Sequence, residues 1–88
     1  MKIDISVEDK QTKIEIQDIP DINVWRNPRK FATLVGDRLM ETFNCEVIRD
    51  SVSGSNIIID MWGKLPKTRV TKLTRGLYWE MFVSLIFP

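Results

Sequence analysis

The sequence predicts a small single α+β domain in which two antiparallel hairpins form one sheet and two helices pack on it. Three observations predict this fold. Apolar and polar residues alternate in two pairs of short segments, and each pair is separated by a turn. Each pair is followed by a segment with apolar residues at helical spacing. The 88 residues suit one domain, so we expect residues 1–88 to fold as a single compact unit in the order β-β-α-β-β-α.

The first hairpin is predicted at the start of the chain. β-branched residues alternate with polar ones on both of its strands: Ile3, Ile5 and Val7, then Ile14 and Ile16. This period of two indicates strands with one buried and one solvated face. Residues 9–11 form the turn. A connector over residues 18–26 follows, and its apolar side chains predict that it packs on the domain rather than hanging free.

The first helix is predicted to begin at Asn27-Pro28, because Asn is a favoured N-cap residue and Pro is favoured at the first helical position. Asn44 can end the helix in a left-handed conformation. The apolar residues recur at helical spacing: Phe31, Leu34, Val35, Leu39 and Phe43. The Arg29-Lys30 pair falls in the first turn, where backbone N–H groups also favour anions.

The second hairpin is predicted from a strand over residues 45–52 and another over residues 57–62. Between them, residues 53–56 read Ser-Gly-Ser-Asn, which is turn chemistry. This short turn lacks the length and spacing of a phosphate-binding loop. Gly63 ends the second strand.

The C-terminal segment allows two interpretations. A single helix from about Pro66 to Phe87 would place Val70, Leu73, Leu77, Met81 and Leu85 on the face toward the sheet. The alternative is a short helix that ends at Arg75, with Gly76 as its cap and a strand from Leu77 onward. The long helix is favoured, although a glycine within a helix costs about 1 kcal/mol.

Residue content excludes several kinds of catalytic and metal site. The chain has no His and a single Cys, Cys45. A Ser-His-Asp triad, a Cys-His pair, a four-ligand zinc site and an internal disulfide are therefore impossible within one chain. We expect no enzyme activity, no cofactor, no metal and no small-molecule substrate. We also expect an intracellular, reducing location without a signal peptide or membrane span, because no apolar segment reaches about 20 residues.

The apolar C-terminal segment is the main candidate for function. Nine of the eleven residues from 77 to 87 are apolar. A helix that is apolar all round is either buried or meets a partner. The candidate partner-binding residues are Trp79, Phe82, Val83, Ile86 and Phe87. They predict a non-enzymatic protein-interaction or assembly subunit that binds a protein partner or itself, a profile shared by viral and mobile-element structural or accessory proteins.

A basic stretch between residues 64 and 75 supports an alternative, a nucleic-acid-binding module. Its cations are Lys64, Lys67, Arg69, Lys72 and Arg75, with no acid among them. Phosphates bind such cations through counterion release, and nearby aromatic rings can stack on unpaired bases. The net charge is only +1, so the chain as a whole lacks the strong positive charge of a dedicated nucleic-acid binder.

Three further features are interpreted structurally. Arg38 falls within the apolar arc of the first helix, where a buried guanidinium needs an acid, for which Asp60 is the first candidate and Glu80 the second. Two alternatives are an apolar stem that keeps the charged head in water and a functional contact with an anion. Asp37 and Glu41 share one helix face, which could help to hold a divalent ion or an activated water but is more typical of a solvated surface. Cys45 is expected to be a small buried apolar residue.

Overall fold

The computed structural model describes residues 1–19 and 28–86, the last three of these by backbone alone. It confirms the predicted order of elements. The strands and helices are β1 (Lys2–Glu8), β2 (Gln11–Gln17), α1 (Pro28–Phe43), β3 (Val47–Ser53), β4 (Asn56–Trp62) and α2 (Lys67–Ile86). The predicted Asn27 cap, most of the connector before it and Phe87 lie outside the described residues.

The two hairpins join into one antiparallel sheet with the strand order β1-β2-β4-β3. The second strands of the two hairpins, β2 and β4, pair with each other. Ile14 of β2 lies opposite Ile5 of β1 on one side and Ile59 of β4 on the other. β2 and β4 are therefore the central strands, whereas β1 and β3 form the edges. This order places β2 and β4 at the centre of the sheet, where the helices fully bury their inward-facing side chains.

Both hairpins turn through two residues. Gly54 begins the second turn with a φ of 58°, a conformation in which glycine has no steric penalty. Asp9 occupies the same place in the first turn with a φ of 51°. Asp is among the few residues with a side chain that tolerate this region. The first turn therefore forms without the glycine that marks most such turns in sequence.

The hydrophobic core lies between one face of the sheet and the two helices. Its centre consists of fully buried side chains from both central strands: Ile14, Ile16, Ile57, Ile59 and Met61. Ile3 and Ile5 of the edge strand β1 are only partly buried beside them. The opposite face of the sheet is exposed and mostly polar, as the alternation in the sequence predicts, although Ile58 and Trp62 of β4 also lie on it.

A β-bulge at Ile48 alters the side-chain pattern of β3. Val47 pairs with Met61, but Arg49 already pairs with the next residue of β4, Asp60. One extra residue is thus inserted in β3. As a result Val47 and Val52 both face the helices, although regular alternation would place residues five apart on opposite faces. The bulge also directs Arg49 outward and Asp50 inward.

Helix α1 buries a different arc from the one expected. Its buried residues are Phe31, Ala32, Val35, Gly36 and Leu39. Ala32 and Gly36 shift the arc away from Arg38, because these small residues let α1 approach the sheet closely. A Cβ atom on Gly36 would lie 3.3 Å from Cγ2 of Val47. Arg38 is exposed, so the expected buried ion pair with Asp60 is wrong, whereas the alternative of a charged head in water agrees with this exposure.

Helix α2 is continuous from Lys67 to Ile86, which confirms the long-helix interpretation. Of the residues expected to face the sheet, Val70, Leu77 and Met81 are buried and Leu73 is partly buried. The side chain of Leu85 lies outside the described residues. Two inward residues were not expected, namely Thr74 and Tyr78. The Thr74 hydroxyl donates to the carbonyl of Val70 at 2.8 Å, which satisfies it within the helix.

The two helices pack antiparallel. Near one end, the Arg69 guanidinium of α2 lies 4.9 Å from the centroid of the Phe43 ring at the end of α1. Near the other, the rings of Tyr78 and Phe31 lie 6.2 Å apart. Beyond Tyr78, α2 continues for roughly 12 Å, whereas α1 begins within about 5 Å of Phe31. The end of α2 therefore extends past the first turn of α1.

The buried hydroxyl of Thr12 connects the first hairpin to the loop before α2. It donates to the carbonyl of Gly63 at 2.6 Å and accepts from the N–H of Leu65 at 2.9 Å. The N–H of Gly63 donates in turn to the carbonyl of Lys10 at 2.6 Å. Gly63 has a φ of 103°, so a side chain here would strain the loop. These bonds fix the path by which the chain leaves the sheet and enters α2.

We predict that Thr12→Val destabilises the protein by about 1–3 kcal/mol, because it leaves the buried N–H of Leu65 and the carbonyl of Gly63 without their partner. Urea unfolding measures this loss. The control is Thr71→Val, which removes a hydroxyl bound to the Lys67 carbonyl at an exposed position. Equal losses in the two variants would contradict the role given to Thr12.

We predict that Gly76→Ala stabilises the protein by about 1 kcal/mol, since alanine favours the helix and its methyl group would meet no atom within 4 Å. The measurement is urea unfolding at low protein concentration. Gly36→Ala is the control, because its methyl group would press on Val47 and offset the gain. A loss of stability in Gly76→Ala would contradict the continuous helix.

Candidate interaction surface

The outer face of α2 carries exposed apolar groups in its second half. Trp79 is 61% exposed and Val83 is 47% exposed. They are four residues apart and so lie on one side of the helix. Phe82 beside them is half-buried. The structure thus brings together three of the five predicted partner-binding residues. Ile86 belongs to the same helix, but its side chain and all of Phe87 lie outside the described residues.

A chain of aromatic contacts holds Trp79 in place. From the core outward, the ring of Tyr78 contacts Phe31 and stacks on Phe82 at a centroid distance of 6.4 Å. The Trp79 indole then meets Phe82 edge-on, at 5.7 Å and 88°. Such arrangements are favourable beyond the area they bury. The exposed indole is therefore supported from the buried Tyr78 and presents a fixed apolar surface to solvent.

The five basic residues 64–75 are all exposed. Arg69 differs from the rest because its guanidinium lies over the Phe43 ring and joins the helices. Among the described residues, no carboxylate pairs with Lys64, Lys67, Lys72 or Arg75. The first turn of α2 contains no acid. Cations at a helix N-terminus oppose the helix dipole, so Lys67 and its neighbours do not stabilise the start of α2.

Two ion pairs lie on either side of β3, and one of them uses the acid that was expected to pair with Arg38. The carboxylate of Asp60 lies 3.2 Å from Arg49 on the neighbouring strand, instead of contacting Arg38. Asp50 lies 2.7 Å from Arg29 in the first turn of α1. The cation at this helix N-terminus is therefore already neutralised by the protein itself. This pair was not predicted from sequence, because it depends on the bulge in β3, after which Asp50 faces the helices.

The exposed face of the sheet forms a shallow polar depression. Across it the strand register aligns Ser6, Lys13, Asp60 and Arg49 in one row. The remaining lining residues are also mainly polar, namely Glu8, Gln11, Ser51 and Ile58. Its two cations and two acids balance, so the depression has no net charge to attract a charged ligand.

The remaining polar candidates show no grouping typical of a catalytic or metal site. Asp37 and Glu41 are both exposed on α1, as a solvated face would be. Within the described ranges, no three His, Cys, Asp or Glu residues lie close enough to hold a metal ion. Cys45 is partly exposed rather than buried, and its Sγ donates to the Leu39 carbonyl at 3.6 Å. Burial nevertheless raises the pKa of its thiol, which makes the reactive thiolate scarcer near neutral pH.

Comparison of the chain with protein-family models, curated proteins and solved structures finds no match. Among the helices of the described ranges, neither is long and apolar enough to cross a membrane.

Proposed function

We propose that the protein is a non-enzymatic interaction or assembly module that binds a protein partner, or itself, through the outer face of α2. The exposed, rigidly supported indole of Trp79 carries this proposal. Trp is among the residues that most often dominate protein interfaces, since it buries a large area with few rotatable bonds. Neighbouring Val83 and Phe82 extend the apolar contact around it.

The packing of α2 supports a role for its outer face. The residues that stabilise the domain lie on the inner face, where Val70, Thr74 and Leu77 are almost fully buried. Trp79 and Val83 add little to this core because they point away from it. An exposed apolar cluster beside a polar surface is typical of an interaction site. A reducing, intracellular setting without cofactor or metal forms part of the proposal.

Site-specific photo-crosslinking tests this function. We predict that a photoreactive amino acid at position 83 forms an adduct with a bound protein, while the same amino acid at the exposed position 33 of α1 does not. Trp79→Ser should abolish the adduct, because it removes the central contact. Trp62→Ser, which changes the other tryptophan that is exposed within the described ranges, should leave it intact.

The mass of the adduct identifies the kind of partner. Twice the 10.3 kDa chain mass indicates a second copy, and any other mass indicates a different protein. Circular dichroism confirms that the variants remain folded. Equal crosslinking from positions 33 and 83, or an adduct that survives Trp79→Ser, would contradict the proposal.

Nucleic-acid binding by the basic stretch is the second candidate. It is supported by the exposed cations without a described carboxylate partner, Lys64, Lys67, Lys72 and Arg75. These cations interact unfavourably with the positive end of the helix dipole, and bound phosphates would neutralise them. Trp62 is 48% exposed just before the stretch and offers a ring for stacking on a base.

For this second candidate we predict salt-sensitive binding to a fluorescent single-stranded oligonucleotide, measured by anisotropy. Each cation that contacts a phosphate and is changed to Gln should flatten the slope of log affinity against log salt by about 0.7. Lys2→Gln is the control, because Lys2 is exposed at the end of the sheet far from Trp62. Binding that is absent at low salt, or equally weakened by Lys2→Gln, would exclude the basic stretch as a nucleic-acid site.

A further inference from the structure

The outer face of α2 has the residue spacing of a helix-pairing seam. Lys72, Gly76, Trp79 and Val83 follow one another at intervals of four, three and four. These intervals keep side chains on one stripe of a helix that packs along another helix. All four residues are exposed, so the stripe lies opposite the core.

Gly76 leaves a gap in this stripe beside Trp79. A Cβ atom at Gly76 would meet no other atom within 4 Å, so the space above the backbone is open. The large Trp79 side chain rises one turn further along the helix. A protruding indole next to an open glycine is a shape that fits its own inverted copy, because each indole can lie over the glycine of the other helix.

The charges of α2 are also complementary to their own inverted copy. All four cations of the helix sequence lie at or before Arg75, whereas its one acid, Glu80, follows them. Glu80 is exposed and belongs to none of the ion pairs seen among the described residues. It also has no Lys or Arg three or four residues away within α2.

We propose that a second copy of this chain occupies the outer face of α2, with the two helices antiparallel about a two-fold axis between Gly76 and Trp79. In this register Trp79 of each chain lies over Gly76 of the other. Lys72 of each then lies opposite Val83 of the other, one helical turn from Glu80, which its long side chain reaches. The interface is isologous, so each contact occurs twice. This inference rests on the proposed function and specifies its partner.

Charge distinguishes this arrangement from a parallel one. Parallel helices would set the four cations of one α2 beside the four of its copy. Antiparallel helices instead bring the cationic first half of each against the half with Glu80 and the negative end of the helix dipole. The antiparallel arrangement therefore avoids repulsion that the parallel arrangement would have to overcome.

A charge-exchange experiment tests the register. Sedimentation equilibrium of the unmodified chain should show a mass that rises with concentration toward twice 10.3 kDa. Lys72→Glu alone and Glu80→Lys alone should each weaken dimerisation by about tenfold, because each places like charges together twice. Mixing the two variants should restore dimerisation, since both pairs then combine opposite charges.

The control mixture is Lys10→Glu with Glu46→Lys, which changes the net charges equally at exposed positions outside α2. These variants should dimerise like the unmodified chain, both alone and mixed. Dimerisation without recovery in the Lys72 and Glu80 mixture would overturn the antiparallel register. A monomeric chain that crosslinks from position 83 to a different protein would overturn the second copy as partner, while the proposed function would stand. A monomeric chain without that crosslink would overturn both.

Discussion

The arrangement of the protein depends on the buried hydroxyl of Thr12. It bonds to both the carbonyl of Gly63 and the N–H of Leu65, and so connects the first hairpin to the loop between β4 and α2. The neighbouring bond between Gly63 and Lys10 closes the same corner. Since α2 begins just beyond Leu65, this corner sets where the helix starts over the core. Together with the contacts between α2 and α1, it positions the outer face of α2.

The aromatic contacts connect the core of the domain to the outer face of α2. Phe31 of α1 contacts Tyr78, which is buried, and Tyr78 in turn contacts Phe82 and Trp79. The partly exposed residues are thus supported by the core itself. A tryptophan held in this way loses little conformational freedom on binding, which lowers the entropic cost of association. Its exposure and its rigidity have the same structural origin.

Most of the fold was predictable because alternation and helical spacing are local properties. Ile14 and Ile16 face inward as their spacing indicates, and Val70, Leu77 and Met81 define the inner face of α2. The ion pair expected for Arg38 does not form, because Ala32 and Gly36, which carry little hydrophobic signal, determine how α1 approaches the sheet. Small residues influence packing because they let two elements approach closely. The spacing of large apolar residues gives no information about such an approach.

The pairing of Asp50 with Arg29 could not be predicted for a different reason. It depends on the bulge at Ile48. After this bulge, the side chains of β3 alternate between the two faces in the opposite phase from those before it. No residue type marks that insertion. On α2, the candidate residues Trp79 and Val83 were identified from sequence, but the gap at Gly76 and the isolation of Glu80 only acquire meaning once the helix is known to be continuous.

The strand order has a consequence for how the chain folds. Each hairpin is local, but the joint between β2 and β4 links Ile14 to Ile59, across the whole of α1. A two-stranded hairpin alone is marginal in water, so neither half is expected to persist before they dock. During synthesis, the edge of β2 that later pairs with β4 stays open until β4 emerges from the ribosome. The nascent chain is therefore most prone to wrong strand pairing in that interval, and the docking of the two hairpins ends it.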